Sequence, residues 1–135
     1  VAAAGVATLK LVQTGEPTRI ANEQTKKLVR GLNDAFKRQG VEAFAYGRGS
    51  VWKTCPGPEP LCVRGDFSKV REEAGQLLSG WGANTDRLRK ALLLEGADFM
   101  RTAGFMSMAH TDDDIEQTVG AMERALGRMK AEKLV

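Results

Sequence analysis

Few residues in this chain have an obvious chemical repertoire: a single histidine, His110, and two cysteines, Cys55 and Cys62. A histidine titrates near neutrality and could move a proton. His110, however, stands directly before Thr111-Asp112-Asp113-Asp114, a helix-start pattern that assigns it to a strand-to-helix turn in preference to catalysis. The cysteines flank a Pro-rich spacer, with no second Cys pair and no His beside them, so a tetrahedral zinc lacks its remaining ligands. With no export signal in view, two free thiols are expected rather than a disulfide. Gly47-Arg48-Gly49 resembles a phosphate loop only in its glycines, because the helix that such a loop opens is missing; a tight turn between strands is the reading. Trp52 and Trp81 are expected to pack in the core. Met100, Met106, Met108, Met122 and Met129 sit at strand or helix periodicities and are read as core as well.

Composition limits the function classes. The 135 residues suffice for one domain with a real core but are few for a metabolic enzyme with a cofactor cleft. A hydrophobic fraction of 42% and a charged fraction of 27% exclude a disordered or fibrous chain. The net charge of +3 is spread along every helix and mixed with Asp and Glu, which argues against a nucleic-acid surface. No apolar run reaches the ~20 residues of a membrane span, and the Ala-rich start lacks a basic leader, so a cytoplasmic location is expected.

The elements that would position these residues follow from periodicity. The first helix runs to about Thr14, with Val6, Leu9 and Val12 on one stripe and Gly15 suited to a left-handed turn. It begins at Val1 with no cap, which predicts that the chain opens inside a helix and that upstream sequence is missing. Ile20, Leu28, Leu32 and Phe36 recur at multiples of four in a second helix that Gly40 ends. Alternation predicts strands over 41–46 and 50–54, followed by an exposed, irregular Pro-rich loop over 55–60. A short helix over 70–78 precedes one capped by Thr85 and stopped at Gly96. Residues 99–102 and 105–109 read as two further extended segments separated at Ala103-Gly104. Thr111 caps the last helix, with Asp112, Asp113 and Asp114 at its positive end and Ile115, Val119, Met122, Leu126 and Met129 as its apolar stripe. The expected fold class is α+β, a short antiparallel sheet covered by helices on one face.

The run Ala91-Leu92-Leu93-Leu94-Glu95-Gly96-Ala97-Asp98-Phe99-Met100, followed by Ala103-Gly104-Phe105-Met106-Ser107-Met108-Ala109-His110-Thr111-Asp112-Asp113-Asp114-Ile115-Glu116, resembles the C-terminal domain of class III pyridoxal-phosphate aminotransferases. Its wording is nearest the glutamate-1-semialdehyde aminomutase branch. Upstream, residues 1–11 resemble the helix after an Asn-Pro element of that family's large domain, and residues 21–49 resemble its linking helix and first small-domain strands. The resemblance implies residues 1–15 as the tail helix of a missing large domain and 16–135 as the small domain, with a variable loop near 55–84. It implies pyridoxal 5'-phosphate (PLP), bound mainly by the missing upstream portion of the same enzyme through a Schiff-base lysine. None of the lysines here falls in that lysine motif, so no catalytic residue is assigned and the chain alone is expected to be inactive. Implied partners are a small-molecule amino donor and acceptor and a second subunit of a homodimer, with no nucleic acid and no membrane.

In the family the strand before Gly104 carries a side chain that faces the substrate. Many aminotransferases place an arginine there, and aminomutases place a glutamate just before the Ala-Gly-Phe run. Anchoring on Ala103-Gly104-Phe105 puts Thr102 at the glutamate position, with Arg101 beside it. Arg101 and Thr102 are therefore the candidate substrate-binding residues; in a regular strand only one of them faces the cleft. Thr102 moves the reading from aminomutase toward aminotransferase, with the aminomutase as alternative. Two other classes stay open: a stand-alone α+β binding or interaction module using the basic surface, and a redox or metal module using the cysteine loop.

Overall fold

The computed structural model describes residues 2–135; Val1, where the uncapped helix start was placed, lies outside the described residues. Helix α1 (Ala2–Gln13) and helix α2 (Glu16–Gln39) are separated by Gly15, whose φ of 72° is the left-handed turn expected of it. Strands β1 (Ala43–Arg48) and β2 (Val51–Pro56) follow, then a 3-10 turn at Leu61–Arg64, helix α3 (Val70–Ser79) and a second 3-10 turn at Gly82–Asn84. Helix α4 (Thr85–Leu94), strand β3 (Ala103–Phe105) and helix α5 (Asp112–Ala131) complete the order. The three strands form one antiparallel sheet in the order β1-β2-β3, so the expected α+β layer is present.

The register separates the two faces of the sheet. Ala45 stands opposite Thr54, and Trp52 stands between Gly47 and Gly104. These residues face the helical layer, where Ala45 and Trp52 join Leu28, Leu32, Leu88 and Met122 in one buried cluster. Burying a side chain such as Leu32 contributes about 2 kcal/mol against leaving it in water. Gly31 allows α2 and α5 to approach, since a Cβ there would lie 2.7 Å from Val119 Cγ2. Asn33 fastens α2 to β1: its Nδ2 donates to the Ala45 carbonyl at 2.9 Å and its Oδ1 accepts the Ala45 amide at 2.7 Å. That clamp satisfies backbone groups on a strand edge. On the opposite face, α3 covers one end of the sheet, with Lys53 Nζ donating to the Leu77 carbonyl and Gln76 Nε2 donating to the Pro56 carbonyl at 3.0 Å.

Four expectations need correction. Residues 99–102 and 105–109 are not two strands: the strand is Ala103-Gly104-Phe105, which takes in the expected break at Ala103-Gly104 and pairs with Val51, Trp52 and Lys53 of β2. Met100 and Met108 are 60% and 43% exposed rather than core, whereas Met106, Met122 and Met129 are buried. The Pro-rich stretch is not wholly loop, since Cys55 and Pro56 finish β2 and Cys55 is fully buried. Pro56 is tolerated as the last strand residue, where its missing N–H breaks no interior ladder. Thr85 is not a side-chain cap; it is the first residue of α4 and is buried, with Asn84 in the cap position. The Thr111 cap stands, as a reciprocal box: Asp114 N donates to Thr111 Oγ1 at 3.2 Å and Thr111 N donates to Asp114 Oδ2 at 2.7 Å.

Candidate functional site

Arg101 and Thr102 are the two central residues of a tight turn. The Ala103 amide donates to the Met100 carbonyl at 3.2 Å, and Met100 and Ala103 form an isolated antiparallel bridge. Arg101 has φ of 62°, and Thr102 is not among the positive-φ residues. A positive φ at the first central residue alone is the pattern of a type II′ turn, whose usual occupant is glycine. The two side chains diverge because of this turn and not because of strand alternation: Arg101 is exposed and Thr102 is 5% exposed.

Beneath the turn lies a cleft of about 270 Å³ whose lining includes Lys53, Ser79, Thr85, Arg101 and Thr102. Two cations and three hydroxyls line it and no carboxylate does, which favours an anionic group. Lys53 was given no role by sequence. Its place on β2, opposite Ala103, is what brings it under the turn. The strand alternation that buries Trp52 was the available signal for sending Lys53 to the other face.

A larger cleft of about 640 Å³ lies between β3 and α5, with Glu95, Asp98, Asp114 and His110 in its lining. Its ionisable groups are held by neighbours. Glu95 Oε2 accepts from Arg124 Nε at 2.6 Å and its Oε1 accepts from Arg128 Nε at 2.5 Å; these two hydrogen bonds hold its carboxyl below the usual range. Asp114 is lowered by the Thr111 backbone and hydroxyl bonds of the cap, and Asp98 pairs with Arg89 at 3.0 Å. His110 Nδ1 accepts the Ser107 amide at 3.0 Å, and its carbonyl accepts Gln24 Nε2 at 3.1 Å, the structural role at the turn that its position suggested.

The surroundings of both thiols disfavour the thiolate form. Burial pushes Cys55 up, and partial desolvation and the Glu73 carboxylate push Cys62 up. Both are free, and no group of three or more potential metal ligands occurs among the described residues. Among the described residues no helix is long and apolar enough to cross a membrane.

No family model matches the chain. It is similar to curated proteins named glutamate-1-semialdehyde 2,1-aminomutase. One from Pyrobaculum arsenaticum is 30% identical over 139 residues, covering 96% of this chain and 29% of that protein. One from Desulforudis audaxviator is 34% identical over 126 residues, covering 91% of this chain and 27% of that protein. The chain thus spans less than a third of the length of these relatives, matching their C-terminal part. Among solved structures, a transaminase with PLP bound superposes with a TM-score of 0.71 at 20% identity, over 95% of this chain and 27% of that one. An omega-transaminase from Sphaerobacter thermophilus superposes with a TM-score of 0.64 at 20% identity, over 84% and 24%. At such identities the structures speak for the fold, and the sequence relatives speak for the kinship. By sequence along nearly its whole length the chain is similar to the C-terminal part of proteins named glutamate-1-semialdehyde 2,1-aminomutase, and its fold is that of the corresponding part of the solved transaminases.

Proposed function

We propose that this chain serves as the substrate-closing, dimer-forming C-terminal domain of a cytoplasmic class III aminotransferase, whose cofactor is held by residues upstream of those seen here. PLP, when bound, supplies an electron sink for amino-group transfer. The lysine in the cleft does not fit as its anchor. Lys53, the lysine in the cleft beneath Arg101, spends its ammonium on the Leu77 carbonyl. Helix α1 fits the tail of a preceding domain, because Val6, Leu9 and Val12 are at least half exposed and α1 buries no residue.

The observation that carries the reading is the presentation of Arg101: an exposed guanidinium on a tight turn, in the segment that aligns with aminomutase-like proteins, over a cleft free of carboxylates. A planar guanidinium fork pairs with both oxygens of a substrate carboxylate. Thr102 lines the cleft at the position where aminomutases carry glutamate. A hydroxyl there offers no carboxylate, and this favours transfer between two substrates over rearrangement within one.

The protein encoded by the gene that carries this chain, incubated with PLP, is expected to retain cofactor absorbance through gel filtration and to transaminate. Absence of cofactor absorbance rules the reading out. The purified 135-residue chain is expected to do neither, and turnover by it overturns the proposed division of labour.

A further inference from the structure

The turn that presents Arg101 is pinned by two buried residues from outside it, Thr54 and Trp81. Trp81 Nε1 donates to Thr54 Oγ1 at 3.1 Å, and Thr54 Oγ1 in turn donates to the Thr102 carbonyl at 3.2 Å. The same carbonyl accepts the Thr54 amide at 2.8 Å. Thr54 is fully buried, and Trp81 and Thr102 are 5% exposed, so water competes for none of these bonds. We infer that Thr54 and Trp81 are positioning residues for Arg101, acting through the Thr102 carbonyl to hold the Met100–Ala103 turn in the conformation that points the guanidinium outward.

The physical case rests on the unusual backbone. An arginine at positive φ favours relaxing toward the ordinary helical or extended regions. The Thr102 carbonyl, one residue later, receives two donors, which fixes the Thr102–Ala103 peptide plane at the end of the turn and so opposes a relaxation at Arg101 that would carry this plane with it. The hydroxyl of Thr54 is the hinge of the device: it is acceptor to one partner and donor to the other, a pairing a valine of the same shape lacks. A serine keeps it.

This inference rests on the reading of Arg101 as the substrate-facing residue, and two arms keep the two claims apart. In the first, amide hydrogen exchange is measured on the 135-residue chain without ligand. Thr54→Val is expected to speed exchange of the Ala103 amide about tenfold while amides in α5 are unchanged, and Thr54→Ser is expected to stay within about twofold of the parent. Trp81→Phe, which keeps the ring packing and loses the N–H, is expected to behave as Thr54→Val and serves if that variant does not fold. An unchanged Ala103 amide in both variants, a Ser variant as fast as Val, or equal acceleration throughout α5 overturns the anchoring. In the second arm, with the gene-encoded protein and a carboxylate-bearing amino donor, Thr54→Val is expected to raise KM about tenfold at nearly constant kcat, with Thr54→Ser restoring it. If Arg101→Gln leaves KM unchanged, the reading of Arg101 fails while the exchange result stands.

Discussion

Replacing Arg101 with glycine should make the protein more stable. Arg101 is held at φ 62°, a region that costs a non-glycine L-residue roughly 1–2 kcal/mol. Glycine removes that cost but brings a more flexible unfolded chain, worth roughly 0.5–1 kcal/mol in the opposite direction. The exposed guanidinium forms no ion pair among the described residues, so little else is lost. The net gain is about 0.5–1 kcal/mol. With an unfolding entropy of about 2.1 cal/mol/K per residue, a chain of this length converts that gain into a Tm rise of about 2–4 °C. Thermal unfolding followed by far-ultraviolet circular dichroism at one pH and one protein concentration is sufficient to resolve it. Arg101→Ala is the control, because alanine keeps the Cβ that makes the conformation costly and so should bring no rise. A fall in Tm for the glycine variant, or an equal rise for alanine, refutes the claim that the turn is strained at this residue. Under the proposed function both variants lose substrate affinity, which makes Arg101 a residue that holds function at the expense of stability.

Three further outcomes follow from the packing and electrostatics. Gly104→Ala puts a Cβ 2.6 Å from Trp52 Cζ2, so the indole must shift; a loss of about 1–3 kcal/mol by urea unfolding is expected, and a loss below about 0.3 kcal/mol contradicts the contact. Thr111→Ala removes the hydroxyl half of the α5 capping box and should cost about 1 kcal/mol in the same assay, with Thr111→Ser nearly neutral. Glu95 has a carboxyl lowered by its bonds to Arg124 and Arg128, so its contribution is complete above the unfolded value of about 4.3 and is lost as pH falls through the lower folded value. The stability gap between parent and Glu95→Gln should therefore narrow from pH 6 to pH 3, and a gap that widens on acidification reverses the sign of that interaction.

The helices were legible in the chain because each carries its own signal. Leu28, Leu32 and Phe36 repeat at the helical period and are all buried on α2, and Gly40 ends that helix at φ 61°. The Thr111-to-Asp114 box is a local arrangement of three consecutive peptide units and their side chains, and it formed where the residue types placed it. The family resemblance also came from local wording, the Gly-Phe to His-Thr-Asp run, and the curated relatives agree with it.

The residues around the candidate site were a different matter. Phe99 is buried, Met100 and Arg101 are exposed and Thr102 is buried, a pattern that belongs to no strand or helix period and marks a turn only once its neighbours are known. Strand β3 exists because Ala103-Gly104-Phe105 finds β2 some fifty residues earlier in the chain, and Gly104 is tolerated inside it because the Trp52 indole fills the space over it. Cys55 became core rather than loop for the same kind of reason: β1 pairs with it at Phe44.

What the sequence determined alone was therefore the set of helices, the Thr111 cap, the Gly40 stop and the kinship, all of which rest on local runs of residues. What the tertiary structure alone decided was the orientation of Arg101 and Thr102, the burial of Cys55 and the role of Lys53. Those depend on pairing free energy between distant strands, and a backbone as costly as Arg101's persists only where distant groups such as Thr54 and Trp81 hold it.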